Sequence, residues 1–174
     1  MLALKRAPLD TPDTLVARAR DGDRAAFGTL HEQYARSVHA VVLGLVPAQQ
    51  ADDVTQEVFL VALDRLGELR DESRFGPWLH QIARNRARDH LRRRRTVVPL
   101  PDDLSRPRTP SAEARQVLGF LRELPEAYRE PLIMRLVEGM TGPEIAARTG
   151  HTPGSVRVNL HRGMKLLRQR LGAT

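Results

Sequence analysis

TGPEIAARTGHTPGSVRVNLHRGMKLLRQRL, residues 141–171, opens on a helix start that can be read from its residues alone. Thr141 followed three positions later by Glu144 forms a capping box, and Pro143 stands in the first turn, where its missing N–H costs nothing. A short helix therefore begins at 142. Ala146, Gly150 and Val156 have the spacing of a helix-turn-helix: a small residue lets two helices approach, glycine makes the turn, and a β-branched residue packs the second helix back. Thr152, Gly154 or Ser155 caps that second helix. Its apolar positions Val156, Leu160, Met164 and Leu167 leave Arg157, Asn159, His161, Arg162 and Lys165 outward. From 141 to 174, Arg148, Arg157, Arg162, Lys165, Arg168 and Arg170 face the single acid Glu144, a balance of +5. Such a face can contact phosphates and read base edges in a major groove, although an ordinary solvated hairpin has the same pattern.

Working outward, the period is helical almost throughout. Asp10 to Asp13 can cap a helix bearing Leu15, Val16 and Ala19, and DGD at 21–23 breaks it and opens a second through Phe27, Leu30, Tyr34, Val38, Val41, Val42 and Leu45 to Pro47. A third starts at Asp52 or Asp53, with Val54, Val58, Val61 and Ala62 apolar. A fourth starts near Pro77 and buries Trp78, Leu79, Ile82, Ala83, Ala87 and Leu91. Residues 96–112, TVVPLPDDLSRPRTPSA, hold four prolines and no helical period, which reads as a flexible linker of 17 residues. Helices resume at 113, run again from Pro125 or Glu126 through Val137, and end in two short ones after Thr141. The expected fold is all-α: two small helical domains, 10–95 and 113–172, joined by the linker 96–112, the C-terminal one a helix-turn-helix.

The net charge of +7 in 174 residues draws the chain to polyanions: nucleic acid, an acidic protein face or an anionic membrane. Lysine occurs only at Lys5 and Lys165, so 26 of the 28 basic residues are arginine. Arginine suits phosphate forks and base edges, and a biased genomic base composition would give the same count. With no cysteine, disulfides and thiolate metal sites are excluded. VHAVVLGLVP at 38–47 is far short of the roughly 20 apolar residues a bilayer span needs, and the N-terminus lacks a signal peptide's apolar stretch. A cytoplasmic protein without membrane insertion is expected.

Two stretches of the N-terminal half carry the chemistry. In FGPWLHQIARNRARDHLRRRR, 75–95, arginines stand at 84, 86, 88 and 92 to 95 against the single acid Asp89. Arg84, Arg88 and Arg92, four apart, form a cation stripe able to follow a phosphate backbone. Phe75 and Trp78 at its head can stack on bases or plug the core. In ADDVTQEVFLVALDRL, 51–66, Asp52 with Gln56 and Asp53 with Glu57 form an acidic stripe on a basic protein. Acids in a first helical turn suit the helix dipole, but Gln56 and Glu57 continue the stripe, which suits a protein partner.

These segments in this order, followed by a proline-rich linker and LPEAYREPLIMRLVEGMTGPEIAARTGHTPGSVRVNLHRG (124–163), resemble a bacterial extracytoplasmic-function (ECF) sigma factor of the sigma-70 family over nearly the whole chain. The resemblance implies an initiation factor, not an enzyme and without cofactor or metal, that binds core RNA polymerase and directs it to promoters. It implies that Asp52, Asp53, Gln56 and Glu57 dock on the clamp helices of the beta-prime subunit, with the beta subunit flap a further contact. It places residues 75–95 on the −10 element: Asn85 lines a pocket for a flipped-out base, and Phe75, Trp78, Arg86, Arg88, Asp89 and Arg92 hold the melted non-template strand. Extracting a base costs a few kcal/mol, which stacking and phosphate contacts must offset. Residues 141–168 match the reader of the duplex −35 element, with Arg148, Ser155, Arg157, Val158, Asn159, His161, Arg162 and Lys165 on the DNA. Val158 and Asn159 replace a common serine and arginine, and Gly163 a usual alanine, so the −35 preference does not carry over. An anti-sigma factor is a further implied partner, and the linker would let the domains spread on polymerase and fold together when sequestered. The short tail after the last helix gives no expectation of an appended regulatory domain.

A stand-alone helix-turn-helix regulator is the competing reading; it requires a dimer on a palindrome without polymerase. A nuclease finds no support: His31, His39, His80, His90, His151 and His161 form no H-x-x-x-H pair, and no Gly-rich phosphate loop occurs.

Overall fold

A computed structural model describes residues 11–96 and 111–172, and among these the regular structure is helical with no strand. Eight α-helices follow in order: α1 Pro12–Arg20, α2 Arg24–Leu43, α3 Ala48–Asp64, α4 Phe75–Thr96, α5 Ala112–Glu123, α6 Glu126–Leu136, α7 Gly142–Thr149 and α8 Pro153–Gly172. Short 3-10 turns at Leu66–Glu68 and Glu72–Arg74 join α3 to α4. Most of the expected linker lies outside the described residues.

Helices α1 to α4 pack around α2, the central rod. Its start is fixed by Asp23, whose carboxylate accepts from the N–H groups of Ala25 and Ala26 at 3.0 and 3.1 Å and from Arg18 at 2.7 Å. Leu30, Val38, Val41 and Val42 of α2, Val54 and Val58 of α3, and Leu79 and Ala83 of α4 are fully buried together. Burying one such side chain contributes about 1.5–3 kcal/mol, so the three- and four-residue periods dictate this packing.

Helices α5 to α8 form the second cluster, in which α6 packs on α8 and α7 on α8. The helix-turn-helix is built as the sequence predicts. Thr141 and Glu144 cap each other reciprocally, Gly150 takes φ +72° at the turn, and Ser155 N–H donates to Thr152 Oγ1 at 3.2 Å. Ala146 and Val156 are buried across that turn. A β-carbon at Gly163 would stand 2.8 Å from Leu132 Cδ1. The missing β-carbon at Gly163 therefore lets α8 sit close on α6.

Several boundaries differ from expectation, beginning with α2, which ends at Leu43 instead of running on to Pro47. Helix α3 begins at Ala48 because Pro47, at φ −54°, turns the chain directly into it after a tight turn at Leu45 and Val46. Asp52 and Asp53 thus lie in its second turn, and the helix-dipole explanation for them falls. Helix α4 starts two residues earlier than expected, at Phe75. The last helix is one long element of 20 residues instead of a short one, carried on by Met164 and Leu167 and tied to α5 by Arg170 and Glu123 at 3.0 Å.

Candidate nucleic-acid interface

The acidic face of α3 is open. Asp52 is 78% exposed, Asp53 and Gln56 are exposed, and half-buried Glu57 turns toward Arg86 at 3.7 Å. Leu60 and Leu63 continue the line of Asp53 and Gln56 at helical spacing and are 64% and 45% exposed. Sequence reasoning missed these leucines. The signal was their phase: both lie off the buried Val54, Val58 and Ala62 line. An apolar pair beside acidic side chains suits a protein partner and repels DNA.

Helix α4 presents a mixed account of its predicted residues. Phe75 is a core residue and not a strand contact: it is 1% exposed, edge-on to Tyr34 at 5.1 Å and beside Trp78 at 5.9 Å. Its burial against α2 supplies the reason, since the ring packs edge-on against Tyr34 of that helix. Trp78 packs half-buried on the same cluster. Asn85 is exposed, with its side-chain oxygen accepting from Gln81 at 3.1 Å, and Arg92 pairs with Asp89.

Within the cation stripe Arg84 is covered, its side chain 19% exposed, while Arg88 and Arg92 stay open at 52% and 78%. Arg84 Nε and Nη2 donate to the two Glu130 oxygens at 2.9 Å each, and Arg84 Nε also lies 3.0 Å from Glu126. Arg88 reaches Glu126 at 3.3 Å. Burial works against the Arg84 charge, but the Glu130 and Glu126 carboxylates outweigh it and raise its pKa. The sequence reading placed Arg84 in the stripe but gave it no partner, because Glu126 and Glu130 come from the other helical cluster.

On α8, Ser155, Arg157, Val158, His161, Arg162 and Lys165 are exposed on one side and Asn159 is half-buried. Arg148, grouped with them from the sequence, is not on this surface. Its Nε donates to the Gln33 carbonyl at 2.8 Å and its guanidinium lies 5.0 Å over the Tyr34 ring, a cation–π contact with α2. The remaining six exposed side chains include Arg157, Arg162 and Lys165, a cationic face on the second helix of the motif.

Among the described residues, no cluster of three or more His, Cys, Asp or Glu side chains is placed to hold a metal, and no helix is long and apolar enough to cross a membrane.

The family model for sigma-70 region 2 matches residues 30–97, and that for sigma-70 region 4 matches residues 114–167. RNA polymerase sigma factor CarQ of Myxococcus xanthus is 34% identical over 164 residues, covering 89% of this chain and 94% of its own. The ECF RNA polymerase sigma-E factor of Escherichia coli K12 is 30% identical over 176 residues, covering 90% and 92%. Among solved structures, CnrH in complex with the cytosolic domain of CnrY matches with a TM-score of 0.61 at 27% identity, over 94% of this chain and 99% of that one. The chain belongs to the sigma-70 family, as an RNA polymerase sigma factor of the extracytoplasmic-function type.

Proposed function

We propose that this sigma factor works through three separate surfaces, with 10–95 and 113–172 as its working units in the cytoplasm. The α3 line of Asp52, Asp53, Gln56, Leu60 and Leu63 docks on the beta-prime clamp helices of core polymerase, and the C-terminal unit contacts the beta flap. Helix α4, with Asn85, Arg86, Arg88, Asp89 and Arg92, engages the −10 element and its melted non-template strand. The α8 face of Ser155, Arg157, Val158, His161, Arg162 and Lys165 sits in the −35 major groove. Cationic side chains gain affinity from phosphates, while Asn159 and His161 offer hydrogen bonds to base edges. An anti-sigma factor that masks the polymerase-docking surfaces is the expected regulator.

The observation that carries this reading is the order of the two family matches on one chain, together with an acidic and apolar α3 face on a protein of charge +7. A DNA-only regulator has no use for that face. The test is direct binding of labelled chain to sigma-free core polymerase, comparing wild type with Gln56→Lys and Leu60→Asp. Both variants should bind at least tenfold more weakly while keeping wild-type helicity; unchanged affinity in both would refute the docking assignment.

A further inference from the structure

Val158 is out of keeping with its surroundings. It is an apolar side chain, 43% exposed, on a helix that carries no Asp or Glu and that presents Arg157, Arg162 and Lys165 to solvent. The helical repeat puts it about 200° around α8 from Val156. Val156, Gly163 and Leu167 are the buried line of that helix, so Val158 stands on the crest of the opposite side, furthest from the core. His161 and Arg162, three and four residues on, share that side with it. Together with Arg157 these residues line a shallow hollow of about 450 Å³, in which Val158 is the one apolar side chain.

A single exposed valine needs no explanation on an ordinary surface. On a helix lying in a major groove, however, the crest is the part that comes nearest the base edges. The cations beside it hold the helix to phosphates and carry no sequence information. Valine can neither donate nor accept a hydrogen bond, so it reads none of the donor and acceptor pattern of the groove. Among the four bases the one apolar feature displayed there is the C5-methyl of thymine. A cytosine in its place would turn its N4 donor toward a side chain with nothing to accept it, and that donor would give up water without replacement. We propose that Val158 is a specificity-determining residue of this factor: it packs on a thymine C5-methyl in the duplex −35 element, which therefore carries a thymine at the base pair under the crest of α8. The proposal rests on α8 being the helix that lies in the −35 groove.

The test uses holoenzyme reconstituted from the full chain and core polymerase, bound to promoter duplexes taken from mapped transcript starts. Each thymine of the −35 element, on either strand, is replaced singly by deoxyuridine, which removes the methyl and keeps every hydrogen-bonding group. At one position the replacement should weaken binding about fourfold, the worth of one buried methyl. Val158→Ser, with a hydroxyl in place of the two methyl groups, should bind the thymine and deoxyuridine duplexes alike, with helicity by circular dichroism as the control. A deoxyuridine cost that is the same in Val158→Ser overturns the contact, and so does a −35 element in which no deoxyuridine is felt although other base changes weaken binding. If the whole −35 element can be replaced without loss of binding, the placing of α8 in that groove falls first, and the proposal falls with it.

Discussion

His80 makes the packing of α4 on α2 sensitive to acid. Its ring is 2% exposed, and its Nε2 lies 3.0 Å from Ser37 Oγ, whose own proton goes to the Tyr34 carbonyl at 2.9 Å. Ser37 has one proton to give, so it accepts from His80 Nε2–H, and burial keeps the imidazole neutral. Burial first, then the guanidinium charge of Arg84 and the electrostatic effect of His151, push His80 down to about 3 from 6.5. The unfolded chain therefore binds one more proton than the folded chain between these two values. The stability His80 contributes is full above 6.5 and drains away as the pH falls toward 3. At about 1.4 kcal/mol per unit, lowering the pH from 7 to 5 removes about 2 kcal/mol through this residue. His80→Gln keeps an N–H donor for Ser37 and cannot titrate. Urea unfolding followed by circular dichroism at pH 7 and pH 5 should show the wild type losing about 2 kcal/mol more than the variant. Equal losses in the two proteins would refute the buried neutral imidazole, since every other titrating group is common to both.

The contact at His39 has the opposite sign. Its hydrogen bond to Glu138, opposed by burial and assisted by the charges of Glu138 and Asp52, raises its pKa, so its contribution is full below 6.5 and lost as the pH rises through that higher value. The distance between spin labels on Glu32→Cys of α2 and Ala147→Cys of α7, both exposed, should lengthen from pH 6 to pH 9 in the otherwise wild-type chain and not with His39→Asn. Thr141→Ala removes one half of the capping box and should cost about 1 kcal/mol of unfolding free energy, read from the shift of the urea midpoint. Arg162→Ala with Lys165→Ala removes two exposed cations from α8, and the slope of log affinity against log salt on duplex DNA should become shallower by about 2. An unchanged slope would take both residues off the phosphate backbone.

What could be read from the sequence was local. The capping box at Thr141 and Glu144 and the positive-φ turn at Gly150 are consequences of residues within one or two turns of each other, and both stand as the sequence predicts. The buried lines of α2 and α4 follow in the same way from helical spacing. Phe75 was not decidable locally: an aromatic residue before a basic helix looks the same whether it faces DNA or core, and Tyr34 on a distant helix settles it. The start of α3 turned on Pro47, whose fixed φ can end one helix or begin the next, and the chain uses it for the second. Arg148 has the spacing of its helix-turn-helix neighbours, yet a ring and a carbonyl of α2 draw it away. Arg84 and Arg88 illustrate the same limit from the other side. Their partners lie beyond the proline-rich stretch, and no periodicity within α4 points to them.

The most direct test of the central claim is transcription itself: purified chain added to sigma-free bacterial core polymerase with genomic DNA fragments, followed by mapping of transcript starts. The account predicts discrete starts whose upstream DNA shares two elements spaced as −35 and −10. Absence of core binding and of specific starts, with the chain alone still retarding duplex DNA, would contradict it.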